Sequence, residues 1–170
     1  MAGFRLPIRT IPLQACVSEA VKPFLDPIIV SGSLHIYVSQ SARGELVMGG
    51  STDPYPLYST RSTLEFKEDL MMHMLELFPF IGSLRVLRQW AGMADMTPDF
   101  SPVMGLTPVE NYYIDAGWGT WGFKATPVSG TCMAETVATG KPHRLCAPFS
   151  LERFYDYAQV GEKGAASVGH

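Results

Sequence analysis

The sequence predicts an α+β fold in which antiparallel strands dominate and a helix packs on the sheet. Short apolar or alternating runs recur between turn residues in the first half of the chain. One long segment, beginning near residue 62, spaces its apolar residues as an amphipathic helix does. A strand, a glycine-rich turn and a further helix follow at residues 111–139. Strands and helices that are segregated in this way are typical of the α+β class.

Four strand candidates occupy the first fifty residues. They cover residues 8–21, 28–30, 34–39 and 45–49. The loop between the last two has the composition of a hairpin connection, with Gly44 at the position that takes a left-handed backbone. The third and fourth strands should therefore pair in an antiparallel hairpin.

The long helix has a predicted start, buried face and end. Ser62 followed by Glu65 forms a capping-box pattern, and Pro79 cannot continue the helix. The residues that share its apolar face are Phe66, Leu70, Met74 and Leu77. This face should lie against the sheet.

The second half of the chain ends in a strand–glycine–helix unit. Residues 84–90 predict a strand, residues 91–99 a turn-rich loop and residues 111–115 another strand. The glycines then lead into a helix at residues 127–139, with Gly140 placed as its terminating residue. Such a unit normally belongs to a parallel sheet, whose other strands are not visible here. The chain is therefore expected to be part of a larger nucleotide-binding protein.

Composition excludes several classes of function. The chain is 46% hydrophobic and 17% charged, and thirteen basic against sixteen acidic residues leave a net charge of −3. This balance argues against a nucleic acid or a membrane surface as partner, and no apolar run approaches the roughly 20 residues that cross a bilayer. Cys16, Cys132 and Cys146 are widely spaced, which predicts reduced thiols in a cytoplasmic protein.

The strongest functional signal is the stretch from Gly117 to Lys124. Glycines between a strand and a helix bring bare backbone and the positive end of the helix up to an anionic or electron-rich ligand. Lys124 adds a single positive charge at this junction. Elsewhere we find no carboxylate pair, catalytic triad or metal-ligand cluster, and no metal site is predicted.

Several motifs together resemble one family. They are residues 117–130, residues 89–92 (QWAG), residues 97–99 (TPD), residues 1–7, 12–15 and 17–19, and the closing residues 149–154 (FSLERF). In combination they resemble the beta subunits of heterotetrameric sarcosine oxidases, within the D-amino-acid-oxidase-like, FAD-dependent oxidoreductases. The resemblance runs from the first residue to about Phe154.

The resemblance implies a division of the chain. Residues 1–96 would be a portion of the substrate domain, residues 97–155 the C-terminal part of a Rossmann-like FAD-binding domain, and residues 156–170 a flexible tail. Family members begin with a strand, a Gly-x-Gly-x-x-Gly turn and a helix that hold the FAD pyrophosphate. We expect this chain to lack that motif, and with it the N-terminal half of the FAD domain.

The resemblance also implies roles for individual residues. The residues that would contact FAD are Gly92, Gly117, Gly119, Thr120, Trp121, Gly122, Phe123 and Lys124. Lys124 would be the catalytic residue that binds the substrate carboxylate over the flavin, while Tyr55 and Tyr58 would line the substrate cavity. The FAD is expected to be non-covalent, because no cysteine lies near Gly92, where single-chain relatives attach it. Any FMN of the complete heterotetramer would be attached outside this chain.

The implied activity is oxidation of the secondary amine of sarcosine by hydride transfer to FAD, giving glycine and a one-carbon unit. The other subunits of a hetero-oligomeric oxidase would be partners, and the chain alone should be incomplete and inactive. Trp121 stands where the family has glycine, so an opine, hydroxyproline or other N-alkyl amino acid dehydrogenase remains an alternative. A further alternative is a non-catalytic assembly subunit that has lost the cofactor.

Overall fold

The computed structural model describes residues 2–50, 52–53 and 55–160. Among these, two compact units are found. Residues 11–93 form the first, which we call the sheet unit, and residues 2–10 together with 94–160 form the second, the glycine-turn unit. The tail predicted at 156–170 lies outside the described residues from position 161 onward.

The main sheet has five strands and one long helix beside it. The strands are β1 (Arg9–Ala20), β2 (Ile29–Ser31), β3 (Ile36–Gln40), β4 (Glu45–Gly50) and β5 (Val86–Met96), in the order β2-β3-β4-β1-β5. The pairs β2–β3, β3–β4 and β1–β4 are antiparallel. The predicted hairpin is confirmed, since Gly44 has φ +100° and joins β3 to β4. A Cβ there would also lie 2.3 Å from the Val21 carbonyl oxygen.

Helix α1 (Leu64–Leu77) supplies one side of a continuous apolar core. Phe66, Leu70 and Met74 are buried on it, as its spacing predicts, but Leu77 at the end is 38% exposed. The remaining core residues are Cys16, Ile36, Val38, Leu46, Met48 and Ile81. Pro79 opens a 3₁₀ helix (Pro79–Ser83), which confirms that α1 ends before it.

The cap of α1 differs from the predicted one. Thr63 is the N-cap, and its Oγ1 accepts from Phe66 N, whereas Ser62 Oγ donates to Gln14 Oε1 at 2.6 Å. Gln14 Oε1 also accepts from Thr63 N at 2.7 Å, and Gln14 Nε2 donates to Asp53 Oδ2 at 2.8 Å. A residue from β1 thus orients the start of α1, a contact that the local pattern does not contain.

The glycine-turn unit contains a small antiparallel sheet and a second long helix. Strands β6 (Val103–Leu106) and β7 (Tyr113–Ala116) pair with each other, and helix α2 spans Gly122–Thr139. Two 3₁₀ helices follow, at Ala147–Phe149 and Leu151–Phe154. Strand β6 was not predicted. The glycine at the end of the second helix was predicted correctly, since Gly140 has φ +66° and terminates α2.

Two predicted boundaries are wrong. The turn-rich loop expected at residues 91–99 is largely strand, because β5 continues to Met96 beside β1, whose ladder outweighs the weak propensity of Ala and Gly. Helix α2 begins at Gly122, five residues before the predicted start at Pro127. Proline here lies inside the helix and removes one backbone donor, yet the helix continues through it.

Candidate functional site

Residues 117–121, which we call the glycine turn, connect β7 to α2. Gly117 has φ +72° and Gly119 has φ +53°, both in the left-handed region that other residues rarely adopt. A Cβ at Gly117 would lie 2.7 Å from Thr97 Cγ2, and one at Gly119 would lie 2.8 Å from Met96 Sδ. Contacts within the chain therefore already require glycine at both positions.

The turn is fastened to its neighbours by hydrogen bonds. Gly119 N donates to the Asp95 carbonyl at 3.0 Å, at the end of β5. Asp115 at the end of β7 accepts from Trp118 Nε1 at 2.6 Å and from Ser129 Oγ. One carboxylate thus joins the strand, the turn and the second turn of α2, which fixes the direction in which the helix starts.

The N-terminus of α2 combines several sources of positive potential. Trp121 is the N-cap residue and makes no side-chain cap, and the first turn contains no acidic residue. The N–H groups of Gly122, Phe123 and Lys124 precede the first intrahelical bond, from Ala125 N to Trp121 O at 3.2 Å. Lys124 stands in this turn, where a cation opposes the helix dipole at a cost of about 0.3–1 kcal/mol. Such a local conflict is expected where an anionic ligand binds.

The predicted contact residues around this end are mostly exposed. Thr120, Trp121, Phe123 and Lys124 all present their side chains at the surface, and Phe123 is 95% exposed. Lys124 was expected in the loop, but it lies in the first turn of α2. These residues, with the three glycines, form one contiguous segment of the glycine-turn unit.

The other predicted site residues lie in the sheet unit. Gly92 lies within β5, and an added Cβ there would meet nothing within 4 Å. Tyr55 and Tyr58 are 43% and 83% exposed. Two surface cavities of about 550 Å³ and 450 Å³ occur in the described part of this unit, and none of the predicted site residues lines either one.

One expectation about motifs needs correction. Gly117, Gly119 and Gly122 have the spacing Gly-x-Gly-x-x-Gly, between a strand and a helix, although the chain was expected to lack this pattern. The parallel βαβ context of a pyrophosphate site is not found in the described residues, because β7 pairs only with the antiparallel β6. The spacing alone therefore does not assign a pyrophosphate site.

A buried ion pair in the glycine-turn unit was not predicted from the sequence. Arg153 Nε and Nη2 donate to the two carboxylate oxygens of Asp99 at 2.8 and 2.9 Å, with side chains 2% and 1% exposed. The other guanidinium protons reach the carbonyls of Phe149, Ser150 and Ser101. This pair joins the TPD motif to the closing FSLERF motif. The sequence identifies both motifs, but their positions in it do not indicate that their side chains are in contact.

Comparison with known proteins places the chain in a family. Residues 1–136 match the family described as FAD dependent oxidoreductase, and the chain belongs to it. Sarcosine oxidase subunit beta is 46% identical in Arthrobacter sp and 48% in Rhodobacter capsulatus, over all 170 residues in each case. The chain spans 42% and 41% of the lengths of these two relatives. The predicted family, and with it FAD as cofactor, is confirmed.

Solved structures give the same class of fold. L-proline dehydrogenase from P. horikoshii superposes with a TM-score of 0.80 at 27% identity, over 91% of this chain and 42% of that one. Glycine oxidase from Geobacillus kaustophilus has a TM-score of 0.76 at 22% identity, over 89% and 40%. The predicted α+β class, as part of a larger FAD-dependent oxidoreductase fold, is confirmed. In the part of the chain that the structure describes, no helix is both long and apolar enough to cross a membrane.

Proposed function

We propose that this chain forms the flavin-facing part of an amine oxidoreductase that oxidises the secondary amine of sarcosine. The observation that carries the proposal is the start of α2, where uncapped N–H groups and Lys124 concentrate positive charge directly after the glycine turn. The high identity to two sarcosine oxidase beta subunits supports the choice of substrate.

The residues present fit a flavin at this end of α2. When bound, FAD would supply a hydride acceptor whose reduced form carries negative charge at the pyrimidine edge of the ring. The N–H groups of Gly122 and Phe123 and the helix dipole would stabilise that charge. Thr120 and Trp121, whose side chains are exposed beside this end of the helix, would border the ring. Gly92, in the sheet unit, is a further proposed contact, and the cofactor would be held without a covalent bond.

Lys124 would bind the substrate carboxylate. Its compact ammonium suits a single carboxylate group, and its exposed position leaves the charge available. Holding the carboxylate positions the C–H bond next to the amine for hydride loss, which leaves an imine. Water then hydrolyses the imine to glycine and a one-carbon aldehyde. Tyr55 and Tyr58, in the sheet unit, are proposed to line the substrate cavity.

Partner subunits are part of the proposal. The relatives are subunits by name and are more than twice as long as this chain, so the rest of the flavin site would come from sequence outside these 170 residues. Exposed apolar side chains such as Ile28 (68%) and Val30 (59%) on and beside strand β2 support a contact with another chain. The three free cysteines support a cytoplasmic location.

The role of Lys124 can be tested in the complete enzyme. Lys124→Met should raise the KM for sarcosine roughly 10- to 100-fold, the value of one charged hydrogen bond. Lys141→Met, beyond the opposite end of the same helix, is the matched control and should leave the KM unchanged. An unchanged KM in Lys124→Met would overturn the assignment. Full sarcosine turnover by a complex in which this subunit binds no FAD would favour the assembly-subunit alternative.

The isolated 170-residue chain should bind FAD weakly or not at all. Absorbance of the purified chain after incubation with FAD and gel filtration measures this directly. A stoichiometric flavin band would show that the cofactor site is complete without further sequence.

A second substrate class has its own support. Trp121 replaces the expected glycine, and the superposition on an L-proline dehydrogenase suggests that a cyclic secondary amine would fit the fold. Turnover of sarcosine and L-proline by the complete enzyme separates the two. A higher kcat/KM for L-proline would replace sarcosine as the proposed substrate.

A further inference from the structure

Three side chains with metal-binding atoms meet at the other end of α2. The ligand atoms of Cys132, His143 and Cys146 all lie within 4.8 Å of one another. Both cysteines are buried, 3% and 1% exposed, while the His143 side chain is 21% exposed. None of the three takes part in the flavin and substrate contacts proposed above.

The backbone explains how they meet. Cys132 lies on the buried face of α2, one turn before the fully buried Thr136. The chain reverses at Gly140, and His143 N then donates to Thr136 Oγ1 at 3.0 Å. The His143 carbonyl accepts from Cys146 N at 2.8 Å, which closes a single turn. Residues three apart on such a turn share a side, so His143 and Cys146 both face Cys132.

We propose that Cys132, His143 and Cys146 bind a Zn²⁺ ion. Two thiolates and one imidazole are the donor set that zinc prefers among the common divalent cations. In a tetrahedral site with Zn–S distances of about 2.3 Å, two sulfur atoms lie about 3.8 Å apart. Since the ligand atoms all lie within 4.8 Å of one another, the two sulfur atoms are at most about 1 Å farther apart than this. Small side-chain rotations would close it around the ion.

The surroundings of His143 orient its ring. Nε2 lies 3.8 Å from Glu135 Oε2, and Nδ1 accepts from Leu145 N at 3.2 Å. A proton on Nε2 facing the carboxylate leaves the Nδ1 lone pair for the metal, which would displace the Leu145 N–H. Carboxylates commonly hold metal-binding histidines in this way. Because His143 is partly exposed, a water molecule completes the coordination as the fourth ligand.

The site would fasten the segment after α2 to the helix. Its neighbours Met104, Trp118, Met133 and Phe149 are apolar and shield the two thiolates, so the water ligand would enter from the partly exposed side of His143. Binding energy of the ion would then stabilise the turn at residues 143–146, and through it the 3₁₀ helix Ala147–Phe149.

Zinc binding by the full 170-residue chain tests the proposal. After removal of metals with a chelator and a reductant, the chain is titrated with Zn²⁺ against a chromophoric chelator and, separately, with Co²⁺. One ion per chain is expected, and Co²⁺ should give the near-ultraviolet charge-transfer band of thiolate ligation. Cys132→Ser and Cys146→Ser should each weaken binding by more than the roughly 10- to 100-fold that loss of an outer partner causes.

Matched variants keep the test decisive. Cys16→Ser replaces an equally buried thiol of the sheet unit and should leave zinc binding unchanged. Glu135→Gln should weaken binding about tenfold, the low end for an outer partner. If a cysteine variant fails to fold by circular dichroism, His143→Gln, at the partly exposed ligand, replaces it. Absence of zinc binding, binding that survives in Cys132→Ser and Cys146→Ser, or a Cys132–Cys146 disulfide that forms with zinc present would each overturn the proposal.

Discussion

The sheet unit and the glycine-turn unit are stabilised by different kinds of contact. The sheet unit has one continuous apolar core, in which Leu46, Leu70 and Met74 are fully buried. The glycine-turn unit has two smaller apolar clusters and, in addition, the buried pair of Asp99 and Arg153. Apolar burial tolerates local change, whereas a buried ion pair depends on both partners. The units should therefore respond differently to substitution.

The largest loss is expected when the buried pair is broken. Arg153→Met leaves the Asp99 carboxylate buried without a partner and should lower the free energy of unfolding by about 3–5 kcal/mol. Arg85→Met is the control, because its pair with Glu19 has a similar N–O distance of 3.0 Å but its side chain is 82% exposed. That control should cost at most about 1 kcal/mol. Urea denaturation of each variant measures both, and equal losses would contradict the comparison.

Acid should weaken the same pair. Burial would raise the pKa of Asp99, but hydrogen bonds from Arg153 and from the Val160 and Ser101 N–H groups outweigh it and hold the pKa below its ordinary value. The pair's contribution is therefore present above the unfolded-state pKa and is lost as the pH falls through the folded-state pKa. The stability difference between wild type and Arg153→Met should shrink below about pH 4. A difference that stays constant there would contradict the assignment.

Truncation in the apolar core should come next. Leu70→Ala removes a fully buried side chain and should cost about 2–5 kcal/mol through lost burial and the cavity it leaves. Leu64→Ala makes the same change on the same helix, at a side chain 62% exposed, and should cost less than about 1 kcal/mol. Thermal and urea unfolding give both values, and similar losses would mean that α1 does not pack as described.

The glycine turn gives a smaller and more specific effect. Gly117→Ala forces alanine into a left-handed backbone against Thr97 Cγ2 and should cost about 1–3 kcal/mol. Gly130→Ala is the opposite case: within α2, an added Cβ meets nothing within 4 Å, and it should stabilise by about 0.5–1 kcal/mol. A Gly117→Ala variant as stable as wild type would show that internal contacts do not require glycine at this position of the turn.

The smallest expected effect is at the start of α1. Thr63→Ala removes the N-cap and should cost about 1 kcal/mol. Ser62→Ala removes a hydrogen bond to Gln14 but no cap, and should cost less. The reverse order would favour the capping box that the local sequence predicts.

Features that depend on neighbouring residues were predictable. The spacing of Phe66, Leu70 and Met74 identified the buried face of α1, because helical periodicity is set by adjacent turns. Gly44 and Gly140 were placed correctly, since a left-handed backbone selects glycine locally. The motifs around the glycine turn were specific enough to predict the family.

Features that depend on residues far apart in the sequence could not be predicted from it. The true length of β5 follows from its pairing with β1, and the true cap of α1 from its contact with Gln14. Ten residues separate Cys132 from His143 in the sequence, so their spacing gave no signal of a common site. The reversal at Gly140 brings them together.

By itself, the order of amino acids determined the fold class, the family and the segment where function is expected, because these rest on periodicity, backbone freedom and shared motifs. Only the tertiary structure decided that Asp99 pairs with Arg153, that Lys124 stands in the first turn of an uncapped helix and that two thiols meet an imidazole. Those arrangements join residues far apart in the chain. Local preferences cannot specify such contacts, since their energy appears only when the chain has closed the loops between them.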